Sequence, residues 1–144
     1  MNDQDDEKTA LHIAACQGKI EIMKVLISRC PDCWEMVNDR GQNILHISVQ
    51  NEQKEAIKYI IGHPWLDNLI NQKDCDGNTP LHLLATTSCY VPDLITYRSA
   101  NKLAYNHGNL TTLDIACSDK YIEVLILKGL PLPNLLNNAI AGFH

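Results

Sequence analysis

Four stretches of this chain repeat one pattern at near-constant spacing, and that self-similarity limits the possible folds more than any other property. They are Thr9 to Ala15 (TALHIAA), Asn43 to Val49 (NILHISV), Thr79 to Ala85 (TPLHLLA) and Thr111 to Cys117 (TTLDIAC). Their central leucines, Leu11, Leu45, Leu81 and Leu113, lie 34, 36 and 32 residues apart. Turn-forming residues precede the later copies: Asp39 to Gly41, Asp74 to Gly77, and Asn106 to Asn109. In the last of these Asn109 takes the place of the turn glycine, as a residue that tolerates a left-handed backbone.

Each copy reads as a helical hairpin. Thr9, Asn43, Thr79 and Thr111 are of the types that cap a helix start, and Pro80 suits the first helical position. A second helix follows with apolar spacing near 3.6 residues. It uses Ile20, Met23 and Ile27 in the first repeat, and Ala56, Ile57, Ile60 and Ile61 in the second, ended by Gly62 and Pro64. In the fourth it uses Ile122, Val124, Leu125 and Ile126. The third is weakest, with Pro92 opening a helix whose apolar residues Leu94, Ile95, Leu103 and Ala104 are widely spread. One hairpin cannot hide its own apolar face, so neighbours must stack. The boundaries that follow are 1–38, 39–73, 74–105, a degenerate fourth repeat at 106–130, and a tail at 131–144.

Composition removes several functional classes. With 144 residues the chain suits one domain or one array, burying roughly 70% of its unfolded surface. A formal net charge of −5 argues against nucleic acid, whose phosphates demand clustered Lys and Arg. The stretch Tyr121 to Leu136 is broken by Glu123, Lys128, Pro131 and Pro133, whereas a membrane span needs about 20 apolar residues. The opening MNDQDDEK is no secretory signal, so the chain reads as cytoplasmic with its six cysteines mostly thiols.

The pattern GNTPLHL at Gly77 to Leu83, preceded by Asp74 to Asp76, resembles the ankyrin repeat, whose period is about 33 residues. The likeness covers residues 4 to 129 and implies an all-α ankyrin-repeat solenoid with turn or β-hairpin connections. The wording NLTTLDIA at Asn109 to Ala116 and LINQKDCD at Leu69 to Asp76 is similar to plant ankyrin–transmembrane proteins of the accelerated-cell-death type. That resemblance implies a cytosolic array and a part in defence signalling, at the inner face of the plasma membrane if tethered through a partner or a longer parent chain. Two departures stand beside it: Glu7 falls where a turn glycine belongs, and no membrane domain follows Gly129. The chain reads accordingly as a short member, a truncated product or an excised piece.

No catalytic, cofactor-binding or metal site is expected. His12, His46 and His82 recur at one repeat position, and stacked helices hold equivalent positions about 10 Å apart, too far to converge. The family resemblance implies a structural role for them, and for Asp114 in the fourth copy. Cys30 and Cys33 form the one CxxC, but no second ligand pair supports zinc and no βαβ pattern supports redox chemistry. The plainer reading is that they close a helix-to-turn connection. Cys75 belongs at an exposed turn tip, while Cys16, Cys89 and Cys117 read as small core or groove residues. Trp34 and Trp65 fall at the ends of second helices and read as packing between repeats. The acidic leader Asp3 to Glu7 reads as a solvated terminus.

A partner protein would meet the aligned turn tips and first helices along the concave face of such a stack. By resemblance the contact positions fall on Cys16 and Gln17 in the first repeat, and on Asp39, Arg40, Gln42, Gln50 and Asn51 in the second. They continue on Cys75, Asp76, Asn78, Thr86 and Thr87 in the third, and on His107, Leu110, Ser118 and Asp119 in the fourth. The expected function is protein binding without catalysis. The alternatives are a regulatory fragment pairing with longer ankyrin–membrane relatives and, last, a redox protein using Cys30 and Cys33.

Overall fold

The computed structural model describes the backbone of residues 3–87 and 89–116, and side chains from residue 10 onward within that span. Eight α-helices are formed there, and no strand. Helix α1 (Asp3–Gln17) pairs with α2 (Ile20–Arg29). Helix α3 (Ile44–Gln50) pairs with α4 (Lys54–Ile61), and the short α5 (Leu66–Leu69) follows. Helices α6 (Pro80–Ala85), α7 (Pro92–Ile95) and α8 (Thr112–Ile115) complete the order. The first helices pack in series, α1 on α3, α3 on α6 and α6 on α8. This is the all-α ankyrin solenoid expected from the repeat.

The recurrent leucine is the reason for the stack. Leu11, Leu45, Leu81 and Leu113 are all buried, joined by Met23, Ile44, Ile57, Ile60, Leu66, Leu69 and Leu84 in one continuous core. Burying a side chain of this kind contributes about 1.5–3 kcal/mol, which no single hairpin could collect alone.

The helix starts show how the polar half of the motif works. Asn43, Thr79 and Thr111 each accept the backbone N–H of the residue three further on, and that residue's side chain accepts the cap's own N–H. These are capping boxes in which His46, His82 and Asp114 do what Glu or Gln more often does. Thr9 departs from the expectation, because α1 begins at Asp3 and runs straight through it.

Two further differences concern the connections. The third repeat's second helix is a single turn opened by Pro92, and Leu103 and Ala104 lie beyond it. The β-hairpin character of the tips is reduced to one paired rung in each. Asn38 N–H donates to the Gln42 carbonyl, Asp74 to that of Asn78 and Asn106 to that of Leu110, at 3.0, 2.9 and 3.0 Å. The expected fourth second helix, the tail at 131–144, Cys117, Ser118 and Asp119 lie outside the described residues.

Candidate protein-binding face

Each turn tip is built on one side-chain oxygen. Oδ1 of Asn38 accepts the N–H of Arg40 and Gln42, Oδ1 of Asp74 those of Asp76 and Asn78, and Oδ1 of Asn106 those of Gly108 and Leu110, all at 2.9–3.0 Å. The chain then turns through a left-handed residue, Gly41 (φ 72°), Gly77 (φ 78°) or Asn109 (φ 58°). Asn109 therefore fills the glycine's role as its sequence position implies. Asp74 and Asn106 open turn stretches expected from the sequence, whereas Asn38, one residue ahead of the expected Asp39 to Gly41, was missed; an Asn or Asp five residues before each cap was the available clue.

The tips are joined to one another. Cys75 N–H donates to the Arg40 carbonyl at 2.8 Å, and His107 N–H to the Asp76 carbonyl at 3.0 Å. Behind them the histidines make a second row of links. Nε2–H of His12, His46 and His82 donates to the carbonyls of Gln42, Asn78 and Leu110 at 3.1, 2.9 and 2.9 Å, each in the following repeat. In His46 and His82, Nδ1 accepts the cap N–H, which fixes the tautomer. Burial holds both imidazoles below their ordinary pKa, against an upward pull from the same carbonyl bonds. The implied structural role of these histidines thus extends to tying successive repeats.

The mapped contact residues divide by burial. Asp39, Arg40, Gln50, Asn51, Cys75, Asp76, Thr86, His107, Leu110 and Gln17 are exposed, with Cys16, Asn78 and Thr87 half-buried. Gln42 is buried instead, because its amide spans Asn38 and Gln50 at 3.2 and 2.8 Å. Asn78 also accepts from the Asn106 amide at 2.9 Å. Both belong to the scaffold of the tips more than to their outer surface.

The cysteines follow two patterns. Cys30 caps the end of α2 and Cys33 opens a 3-10 turn, Cys33–Glu35, and the two are joined as a disulfide, not held as thiols. Nearness along the chain brings them together at the helix-to-turn connection. Cys16, Cys75 and Cys89 are free, with Cys75 exposed at its tip and the Cys89 thiol pushed up by burial. Trp34 stacks on Trp65 across the first two repeats, centroid to centroid 5.4 Å, as packing aromatics. Among the described residues no cluster of His, Cys, Asp or Glu has a geometry for a metal ion.

This architecture defines an ankyrin-repeat array, a class that generally serves as a non-catalytic, protein-interacting scaffold. Residues 1–68 match the family model described as Ankyrin repeats (3 copies). The bonding pattern continues past that match as far as Leu110. The chain is 28% identical over 128 residues to the Transient receptor potential cation channel subfamily A member 1 homolog of Caenorhabditis elegans, covering 86% of this chain and 10% of that protein. It is 28% identical over 126 residues to the Homo sapiens Transient receptor potential cation channel subfamily A member 1, covering 83% and 11%. The chain thus spans about a tenth of the length of these relatives. Among the described residues no helix is long and apolar enough to cross a membrane.

Proposed function

We propose that the chain binds a partner protein, without catalysing a reaction, through its turn tips and first helices. The observation that carries this reading is the backbone linkage of the tips. Arg40 to Cys75 and Asp76 to His107 form one continuous edge whose side chains stand exposed. A rigid edge loses little conformational freedom on binding, so its contacts reach affinity undiluted. Asp39, Arg40, Asp76 and His107 give it a mixed, moderately acidic surface, with Arg40 the residue type most often found at a binding hot spot. The relatives are named as cation channels, and what each shares with this chain is a stretch of 126 to 128 residues, about a tenth of its own length. A cytosolic setting fits such a scaffold; the plant defence role rests on the wording of the repeats alone.

The test uses a partner recovered with the full chain and then purified. Arg40→Ala and Asp76→Ala, both at exposed positions, should each weaken its binding about fivefold or more. Equal affinity of both variants and the parent would reject this face.

A second reading, pairing with another ankyrin array, is favoured by Ile13, Ile22 and Val25 of the first repeat. They are 51%, 50% and 56% exposed, an uncovered apolar face where stacking would continue. Sedimentation at micromolar concentration should then show self-association or capture of an ankyrin array, and a strict monomer that captures none would remove this reading.

A further inference from the structure

Away from the turn tips, a cavity of about 530 Å³ opens between the 3-10 turn after α2 and the short helix α5. Trp34, Glu35, Asp67, Asn68, Leu69, Asn71 and Gln72 line it. The lining holds two carboxylates, an indole and three amides, and no basic residue. We propose that this cavity is a second binding site, for an arginine side chain presented by a partner's peptide segment.

The indole is positioned in advance. Trp34 follows the buried, disulfide-bonded Cys33 and lies nearly parallel to Trp65, at 14°. Trp65 stacks in turn on His63, which meets Tyr59 edge-on, making a continuous aromatic run. The far end of that run already holds a cation of the chain itself, Lys24 at 5.9 Å from the Tyr59 centroid. Among the described residues no cation sits over Trp34, at the end that borders the cavity.

The polar groups sort by whether they are already used. Asn71 donates to the Ser99 carbonyl and accepts from Asn101 N–H, both at 2.7 Å. Gln72 accepts from Asn43 at 2.8 Å, and Asp67 accepts from the Tyr97 hydroxyl, which that bond holds above its ordinary pKa. Glu35 and Asn68 are exposed and make no side-chain hydrogen bond with the described residues. A guanidinium suits what remains. It is planar, weakly hydrated and stacks on an indole while its fork meets a carboxylate such as Glu35. The Asn68 amide is then free for the peptide backbone beside it. The volume exceeds what one side chain fills, which favours a peptide over an isolated guanidinium compound.

The full chain is titrated with acetyl-Gly-Arg-Gly-amide, its citrulline counterpart and acetyl-arginine amide, following indole fluorescence. Both tryptophans of the sequence belong to this stack, so the signal reports on the site. Saturable binding of the arginine peptide is expected, weakened by added salt. Citrulline in the peptide, or Glu35→Gln in the protein, should weaken it about five- to tenfold. Trp34→Phe, read by calorimetry, should weaken it several-fold, while Arg40→Ala and Asp76→Ala leave it unchanged. The proposal is overturned by absence of saturation, by equal binding of citrulline, or by unchanged affinity in both Glu35→Gln and Trp34→Phe. Loss in the turn-tip variants would place the peptide elsewhere. Acetyl-arginine amide binding as tightly as the tripeptide would overturn the assignment to a peptide partner.

Discussion

The Nε2–H of His46 donates to the carbonyl oxygen of Asn78 at 2.9 Å, so a side chain of one repeat completes the backbone of the next. Its Nδ1 simultaneously accepts the N–H of Asn43, at 3.1 Å, within its own capping box. Replacing His46 by Ala would leave the buried Asn43 N–H unmatched, costing about 1–3 kcal/mol, and would take from the Asn78 carbonyl one of its two hydrogen bonds, the other being that from Asp74 N–H, at about 1 kcal/mol more. The expected loss is about 3 kcal/mol of unfolding free energy by urea denaturation. A loss below about 1 kcal/mol would mean that water replaces both bonds and that leucine packing alone joins the repeats.

The same two bonds dictate a pH response. His46 and His82 are held below the free imidazole value of 6.5 chiefly by burial, with the Asn78 and Leu110 carbonyls and Asp74 pulling the other way. The unfolded chain therefore binds protons more readily than the folded one. Stability from these groups is complete above about pH 6.5 and is lost as pH falls below it, by at most about 1.4 kcal/mol per pH unit for each histidine. Urea midpoints measured between pH 7.5 and 5 should fall, on a scale set by ordinary histidine titration. His46→Gln should flatten that dependence, and an equal slope in the variant would assign the effect to other groups.

The parts of this fold legible in the sequence were those in which one residue type performs one local task. Leu45 and Leu81 announce a core by period, Pro80 and Thr79 a helix start, and Asn109 a left-handed turn. The stacking of Trp34 on Trp65 was legible as packing between repeats, but the hydrogen bonds that a residue makes beyond its own turn or helix were not. Nothing in the order of residues says that Cys75 N–H reaches the Arg40 carbonyl, or that Gln42 turns inward to bridge Asn38 and Gln50. The cavity beside Trp34 is of the same kind, because its walls come from segments about 30 residues apart in sequence that only stacking brings together. Asp114 shows the limit from the other side. It accepts Thr111 N–H at 3.0 Å as a histidine would, but an ionised carboxylate has no proton to donate onward.

The loop between the paired helices carries a correctable strain. Gly18 turns the chain at φ 70° in the first repeat, and the corresponding position in the second is Glu52, at φ 55°. A side chain in this region costs about 1 kcal/mol that glycine avoids. Glu52→Gly should therefore stabilise the chain by about 0.5–1 kcal/mol. The reverse change, Gly18→Ala, should destabilise by about 1–2 kcal/mol. Its new Cβ would lie 2.6 Å from Oε1 of Gln53, whose amide already holds the Cys16 carbonyl at 3.0 Å. Thermal denaturation of the pair decides it, since opposite signs are required.

Within α3, Ser48 is fully buried and its hydroxyl has no hydrogen-bond partner among the described residues. At the same point of the motif the first repeat places Ala14, also buried, the third Leu84 and the fourth Ala116, none of them carrying a hydroxyl. A hydroxyl moved from water into such a site without a partner costs about 1–3 kcal/mol in mutational series, and alanine is the better helix former. Removing it leaves a methyl group of nearly the same size, so no cavity term opposes the gain. Ser48→Ala should thus raise the urea midpoint by an amount equivalent to about 1 kcal/mol, with an unchanged denaturant slope. A lowered midpoint would show that the hydroxyl is bonded in solution, to a backbone carbonyl of its own helix or to a trapped water.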